Sequence, residues 1–393
     1  MAKRSEAVGE MLKEREVIIC VGSGGVGKTT SSAVIGLEAA MAGRKVLVLT
    51  IDPARRLANS LGIEAIGSER QQIPLERFRD VGLEPRGEMW AMMLDMKECF
   101  DRLVQRHAPD EETAEEILEN RFYHYFSTSV AGTQEYAASE RLHELYESGE
   151  FDLIVLDTPP TTHALDFLEA PQRLADAVSS RALQWLHKPG VLGKGSRGRG
   201  LLSMGTNYAS RVLSKFTGSE LIDEMGTFLK TFSTLFEGFE ERARSVQALL
   251  GGDNTGFVVV TAPDTLTVEE ALFFYDRLDD EALHIDGFVV NKVHPRWVST
   301  ETLRWSEGET KQRLEALAVA TEDEVDLGAV ASELLENARQ FDLLASQDQR
   351  SLSAMEGRLP RSIPIAKVPY FNQDIHSLGG LDRARQELFG AHH

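Results

Sequence analysis

The chain has 393 residues, 42% of them hydrophobic and 26% charged, with a net charge of −20. That length suits one large α/β domain with insertions, or two modest domains. So acidic a chain is a poor general binder of nucleic acid, which demands phosphate neutralisation, and anionic membrane surfaces repel it unless a local basic patch intervenes.

The first stretch, MAKRSEAVGEMLKEREVIIC, is charged up to Val17 and lacks a signal-peptide pattern. No run of about 18 apolar residues follows anywhere, so a cytoplasmic location is expected. EVIICVG is a short run rich in β-branched residues and reads as a buried parallel strand. Cys20, within it, reads as an inert buried thiol. With Cys99 it makes only two cysteines, which excludes a disulfide framework and a four-cysteine zinc site within one chain. A glycine-rich loop comes next. TTSSAVIGLEAAMA then reads as a helix stopped by Gly43, and RKVLVLTID as a second strand. Together these segments make a βαβ unit.

Met89, Met92, Met93 and Met96 in EMWAMMLDM match helical spacing. Residues 95–150 are helical in character, and FDLIVLDTPP (151–160) is another strand. Residues 170–250 form a second helical block. It is interrupted at 188–205 by a glycine-rich basic segment with no acidic residue, which reads as a loop. In that block Met225, Phe228, Leu229, Phe232, Leu235, Phe236 and Phe239 share one helical side. Such a stripe is core by default; an apolar client groove is the other reading. His124 and His163 are isolated and read as structural or exposed. GFVVVTAP (256–263) and IDGFVVNKV (285–293) are further strands. Residues 307–350 are acidic and helix-prone, and 363–381 read as a last strand and an ordered loop. There is no internal repeat. In open α/β sheets the carboxyl ends of the strands carry the site. That rule brings Asp52, Asp157, Thr261 and Asn291 to the edge where the glycine loop lies.

The glycine loop, GSGGVGKTT (22–30), satisfies two fingerprints. GSGGVG fits the dinucleotide pattern G-x-G-x-x-G, and Asp52 stands where a ribose-binding acid would. GSGGVGKT also fits the P-loop pattern G-x-x-x-x-G-K-[ST]. The residues after the glycines decide. A dinucleotide site has no use for Lys-Thr. A triphosphate site needs Lys28 against the β- and γ-phosphates and the Thr29 hydroxyl on Mg²⁺. Loop amides and the helix N-terminus complete the anion cradle. Asp157, ending LIVLD, supplies the second acidic residue that a P-loop requires.

GGVGKTT, IDPARRLANSLG, FDLIVLDTPPTTHAL and VPYFNQDIHSLGGL together resemble the ArsA-type ATPases. That family includes arsenite-pump ATPases and ATPases that target tail-anchored membrane proteins, within the wider deviant-Walker-A class. The resemblance implies that Gly24, Gly25, Val26, Gly27, Lys28, Thr29 and Thr30 bind the nucleotide. It implies that Asp52 orients or activates the attacking water, and that Asp157 holds Mg²⁺ through water. It implies that Asn291 reads the adenine, and that the loop containing Pro369 and Phe371 covers the base. The methionine-rich segment then becomes a strand running into a helix near Met96.

Three departures stand out. The family pattern begins G-K-G-G, and its first lysine reaches across a dimer; here that residue is Ser23. Arg55 and Arg56 are the nearest candidates to replace the cation, unless a partner supplies it. The second switch usually reads D-T-A-P-T-G-H; here Pro159 and Thr162 stand for alanine and glycine, which stiffens it. Finally, no C-x-x-C could share zinc between subunits, and no cysteine cluster could bind arsenite.

The expected fold is therefore a single P-loop α/β domain over 1–393, with a mainly parallel sheet flanked by helices. Insertions at about 95–150 and 170–250 are expected to form a helical subdomain. The expected activity is Mg²⁺-dependent ATP hydrolysis coupled to closing and opening of a homodimer or of a heterodimer with a related ATPase. A membrane-protein or other apolar client is the expected cargo; zinc and nucleic acid are not expected. A nucleotide-gated scaffold with little hydrolysis is the alternative.

Overall fold

The structure, a computed structural model, describes residues 14–51, 56–129, 133–159, 169–170, 173, 239–317 and 326–390. Asp52, Arg55, Thr162, His163, the basic segment 188–205 and the apolar stripe from Met225 to Phe236 lie outside them. So does the side chain of Phe239.

Eight strands form one sheet: β1 (Val17–Gly22), β2 (Lys45–Thr50), β3 (Gln71–Gln72), β4 (Glu88–Met93), β5 (Leu153–Asp157), β6 (Thr255–Thr261), β7 (Ile285–Val293) and β8 (Ile365–Pro369). Their order is β3-β4-β2-β5-β1-β6-β7-β8. Neighbours are parallel, except that β3 pairs antiparallel with β4. β1 lies between β5 and β6. The chain builds β2, β4 and β5 on one side of it and β6, β7 and β8 on the other. Such a switch point leaves a crevice outside the carboxyl ends of the strands.

The continuous apolar strands have a simple cause. A parallel sheet is covered on both faces, so alternate residues need different partners. Val17, Ile19 and Val21 enter one core, and Ile18 and Cys20 enter the other. Met89 and Met92 divide in the same way, so their helical spacing is coincidental and they belong to a strand. The next helix begins at Met96.

One core also contains residues of α4 (Met96–His107), α5 (Glu111–Glu119) and α7 (Thr133–Glu147), as well as of α8 (Phe239–Leu250), α9 (Thr265–Asp280) and α11 (Leu327–Arg358). Between α5 and α7 runs α6 (Arg121–Ser129); between α9 and α11 lies α10 (Glu307–Leu317). The other core is built on α1 (Lys28–Met41), with α2 (Arg56–Leu61), α3 (Leu75–Arg79) and α12 (Leu378–Phe389) around it. Within α1, Gly36 lets the helix lie close on the sheet. A Cβ there would stand 2.5 Å from Val48 Cγ2.

The last strand expected within 363–381 is β8, and the loop expected after it gives way at Leu378 to α12. The pair Gly379-Gly380 hides the helix start, because glycine is a poor helix former. Tertiary contacts override it. The Ser377 hydroxyl accepts from Gly380 N at 3.2 Å and caps the first turn. Further along, Arg385 is buried and donates to Glu38 of α1 at 2.8 Å and to Asp382 at 2.7 Å. Removing one member of such a buried pair costs about 3–5 kcal/mol, because the other charge is left without compensation.

Arg385→Ala should lower the denaturant midpoint markedly, with about 3 kcal/mol lost; an unchanged midpoint would show that the pair does not anchor α12. Burial also pushes the Cys20 and Cys99 thiols up to about 12. The thiolate is the nucleophile, and at pH 8 only about one thiol in ten thousand would be ionised. Native protein should therefore leave a disulfide reagent unreacted at pH 8 and titrate both thiols only in denaturant. Rapid labelling of the native chain would contradict it.

Candidate active site

The site grows from the junction between β1 and α1. β1 ends at Gly22, and the chain must turn at once into a helix that packs on the same sheet. Gly27 caps α1 with φ +102°, a conformation that suits glycine. A Cβ at Gly27 would also lie 2.2 Å from Asn291 Nδ2. No side chain caps this N-terminus and its first turn has no acidic residue. The helix therefore turns its N–H groups and its positive end toward the crevice.

Lys28 opens α1 and is buried. Its ammonium donates to the carbonyls of Gly22 at 2.9 Å and Ser23 at 2.8 Å. Thr29 Oγ1 donates to Asp157 Oδ2 at 2.6 Å, and Thr50 Oγ1 donates to the same oxygen at 3.0 Å. The sheet makes that meeting: Asp157 is in register with Cys20 of β1 and with Thr50 of β2. The next residue, Thr158, donates its hydroxyl to Cys20 O at 2.8 Å, which fixes the first step beyond β5.

A cavity of about 440 Å³ opens over the loop. Gly25, Gly27, Lys28, Thr29 and Thr30 form its floor, and Arg56, Asn291, Pro369 and Phe371 contribute to its walls. Gly24 is exposed at the loop tip, and Val26 is buried beneath it. Asn291 is turned onto the loop: its Nδ2 donates to Val26 O at 2.9 Å, and its Oδ1 accepts from Lys292 N at 2.9 Å. Thr261 ends β6 as expected, yet its buried hydroxyl donates to Thr267 O at 2.9 Å in α9, away from the cavity lining.

Several lining residues escaped the sequence reading. Lys292 is one, and Thr158, Asn59, Ser60 and His376 are others, while Gln373, Asp374 and Ile375 belong to the loop expected to cover the base. Ser60 Oγ donates to Ile375 O at 3.3 Å and joins the two walls. Lys292 follows Asn291 directly, so adjacency was the available signal. Asn59 and Ser60 come from α2 and the others from strand-end or loop positions, and their approach depends on the fold.

Ser23 is buried and its hydroxyl bonds the carboxylate of Glu270 on α9. Among the described lining residues, the lysine and arginine cations are Lys28, Arg56 and Lys292.

A family model described as anion-transporting ATPase, the ArsA ATPase model, matches residues 15–324. The chain belongs to this family. Its relatives include a protein of Aquifex aeolicus provisionally named arsenical pump-driving ATPase 1, 26% identical over 292 residues, which is 72% of this chain and 64% of that protein. An ATPase get3 of Aspergillus terreus is 24% identical over 69% of this chain and 71% of its own length. An ATPase GET3B of Arabidopsis thaliana is 23% identical over 79% of this chain and 71% of its own length. The match thus spans just under two thirds of the Aquifex relative. Family membership implies use of a nucleotide and Mg²⁺, and an eight-stranded, mostly parallel sheet flanked by helices is the architecture found here. Among the described residues, no helix is long and apolar enough to cross a membrane.

A lysine at position 23 of this ArsA-family chain would meet Glu270 first. Ser23→Lys alone should therefore leave ATP turnover within about twofold of the parent, because the new ammonium pairs with that carboxylate. Ser23→Lys combined with Glu270→Gln should raise it about tenfold or more, in the range that one added phosphate cation contributes. Equal rates in the single and double variants, measured by phosphate release, would refute the interception.

Proposed function

We propose that this chain is a Mg²⁺-dependent ATPase that hydrolyses ATP at the cavity over the glycine loop. One observation carries the reading: Thr29, directly after Lys28, lies 2.6 Å from Asp157 at the mouth of that loop. A hydroxyl and a carboxylate are hard oxygen donors, the kind Mg²⁺ prefers. Thr29 would hold the ion directly and Asp157 through water. The ion supplies neutralisation of charge on the β- and γ-phosphates.

The chain's own groups divide the remaining work. The amides of Gly25, Val26 and Gly27 and the first turn of α1 bind phosphate oxygens. Lys28 supplies a cation for the terminal phosphates. Asn291, Pro369 and Phe371 form the base end. Asp52, outside the described residues, accepts a proton from the attacking water. ATP closes a homodimer, or a heterodimer with a related ATPase, and hydrolysis reopens it. The insertions at about 95–150 and 170–250 form a helical subdomain that moves with this cycle and receives an apolar or membrane-protein client. Arsenite is left out of this reading, because both cysteines are buried singly in the described structure.

The second reading is a nucleotide-gated scaffold with little hydrolysis, one half of a heteromeric pair. It is favoured by Ser23, which has no charge to offer a phosphate and is tied to Glu270.

Steady-state phosphate release by the purified chain with Mg²⁺ and ATP separates the two. The expected result is turnover that Asp52→Asn lowers by about 10²–10⁴-fold while ATP still binds. Tight ATP binding without turnover in the parent would instead establish the scaffold. A parent that binds no ATP would overturn both.

A further inference from the structure

β7 does not end regularly. Its pairing with β8 shifts register between Val290 and Val293, so Asn291 and Lys292 occupy a bulge. Lys292 there has φ +60°, in the left-handed region that lysine rarely adopts. In a regular strand, successive side chains point to opposite faces. A bulge re-aims them. Here both side chains reach the glycine loop: Asn291 Nδ2 donates to Val26 O at 2.9 Å and Lys292 Nζ donates to Gly25 O at 2.8 Å.

The two acceptors belong to consecutive peptide groups. A trans peptide is planar, with its C=O and N–H pointing in opposite directions. Holding the Gly25 carbonyl therefore turns the Val26 N–H the other way, and holding the Val26 carbonyl does the same for the Gly27 N–H. Gly25 and Gly27 have φ of +77° and +102°, the alternation that gathers successive N–H groups into an anion-binding concavity. Without outside partners those peptides would be free to flip. Lys292 also lines the cavity, between the loop floor and the wall formed by Pro369, Tyr370 and Phe371. Its ammonium is held at Gly25 of the loop, and the residue borders the same cavity as Pro369, Tyr370 and Phe371.

We propose that Lys292 is a positioning residue of the nucleotide site: it pins the Gly25 peptide so that the loop amides stay turned to the phosphates, and its stem walls the base end, so that the two ends bind as one. This rests on the reading of the cavity as a nucleotide site. The class of ligand served is a purine nucleoside di- or triphosphate, held better than its inorganic phosphate chain alone. The bulge and the unusual backbone of Lys292 are then required by function, since a strand that merely ended at Val290 would need neither.

The test compares Lys292→Met, which keeps most of the stem and deletes the charge, with Lys292→Gly, which deletes both and suits the left-handed backbone, and with Lys292→Arg. Calorimetry would give Kd for Mg-ADP and for Mg-tripolyphosphate, beside melting temperatures without ligand. The expected result is about tenfold weaker binding of both ligands by Lys292→Met. Lys292→Gly should weaken Mg-ADP about threefold further with no further loss for tripolyphosphate. Lys292→Arg should recover to within about threefold of the parent. The glycine variant removes the backbone strain, so it reports even where the methionine variant folds poorly. Mg-ADP binding within twofold of the parent in both the methionine and glycine variants would overturn the role of Lys292 alone. A parent that binds neither ligand would overturn the nucleotide reading, and this inference with it.

Discussion

The carbonyl oxygens of the glycine loop are held by groups of the protein, which leaves its N–H groups turned outward. Because a trans peptide directs its C=O and N–H in opposite directions, a carbonyl held from one side sends the next N–H to the other. Here the partners come from two elements. Lys28 takes the Gly22 and Ser23 carbonyls, Lys292 and Asn291 take those of Gly25 and Val26, and Ser31 N of α1 takes that of Gly27. The cradle is therefore fastened to its own helix and to the end of β7. Its geometry depends on β1, β6 and β7 standing side by side.

The acidic end of the site is held by the same sheet from the opposite direction. β5 inserts between β1 and β2, which brings Asp157 level with Cys20 and Thr50. One carboxylate oxygen then accepts from hydroxyls of two different elements, Thr29 in the first turn of α1 and Thr50 at the end of β2. A shift of β5 by one residue would turn Asp157 to the other face. Burial of the alternating residues of all three strands opposes that shift. The apolar cores on both faces thus secure the register on which the polar contacts rely.

Legibility in the sequence followed the range of the interactions. βαβ periodicity and the loop pattern are local, so β1, α1, β2, β5, β6 and β7 were readable close to their observed bounds. The methionine segment was not decidable by period, because Met89 and Met92 fit a helix as well as alternating faces of a strand. α12 was obscured by Gly379-Gly380, whose low helix propensity is outweighed by the Ser377 cap and by burial against α1. Ser23 was recognisable as a departure from the family pattern. Its bond to Glu270, 247 residues away, was not.

By itself the sequence determined which groups are available: a glycine loop of P-loop pattern with Lys28 and Thr29, a strand-end Asp157, and strands apolar enough to be covered on both faces. Those features are written in neighbouring residues, and local sterics and hydrophobic period are enough to interpret them. Only the tertiary structure decided how the pieces meet. It turned Asn291 and Lys292 together onto the loop through a bulge, directed Thr261 away to α9, and tied Ser23 to Glu270. Each of these is a contact between distant segments whose geometry is set by strand order and register, quantities that no single stretch of sequence contains.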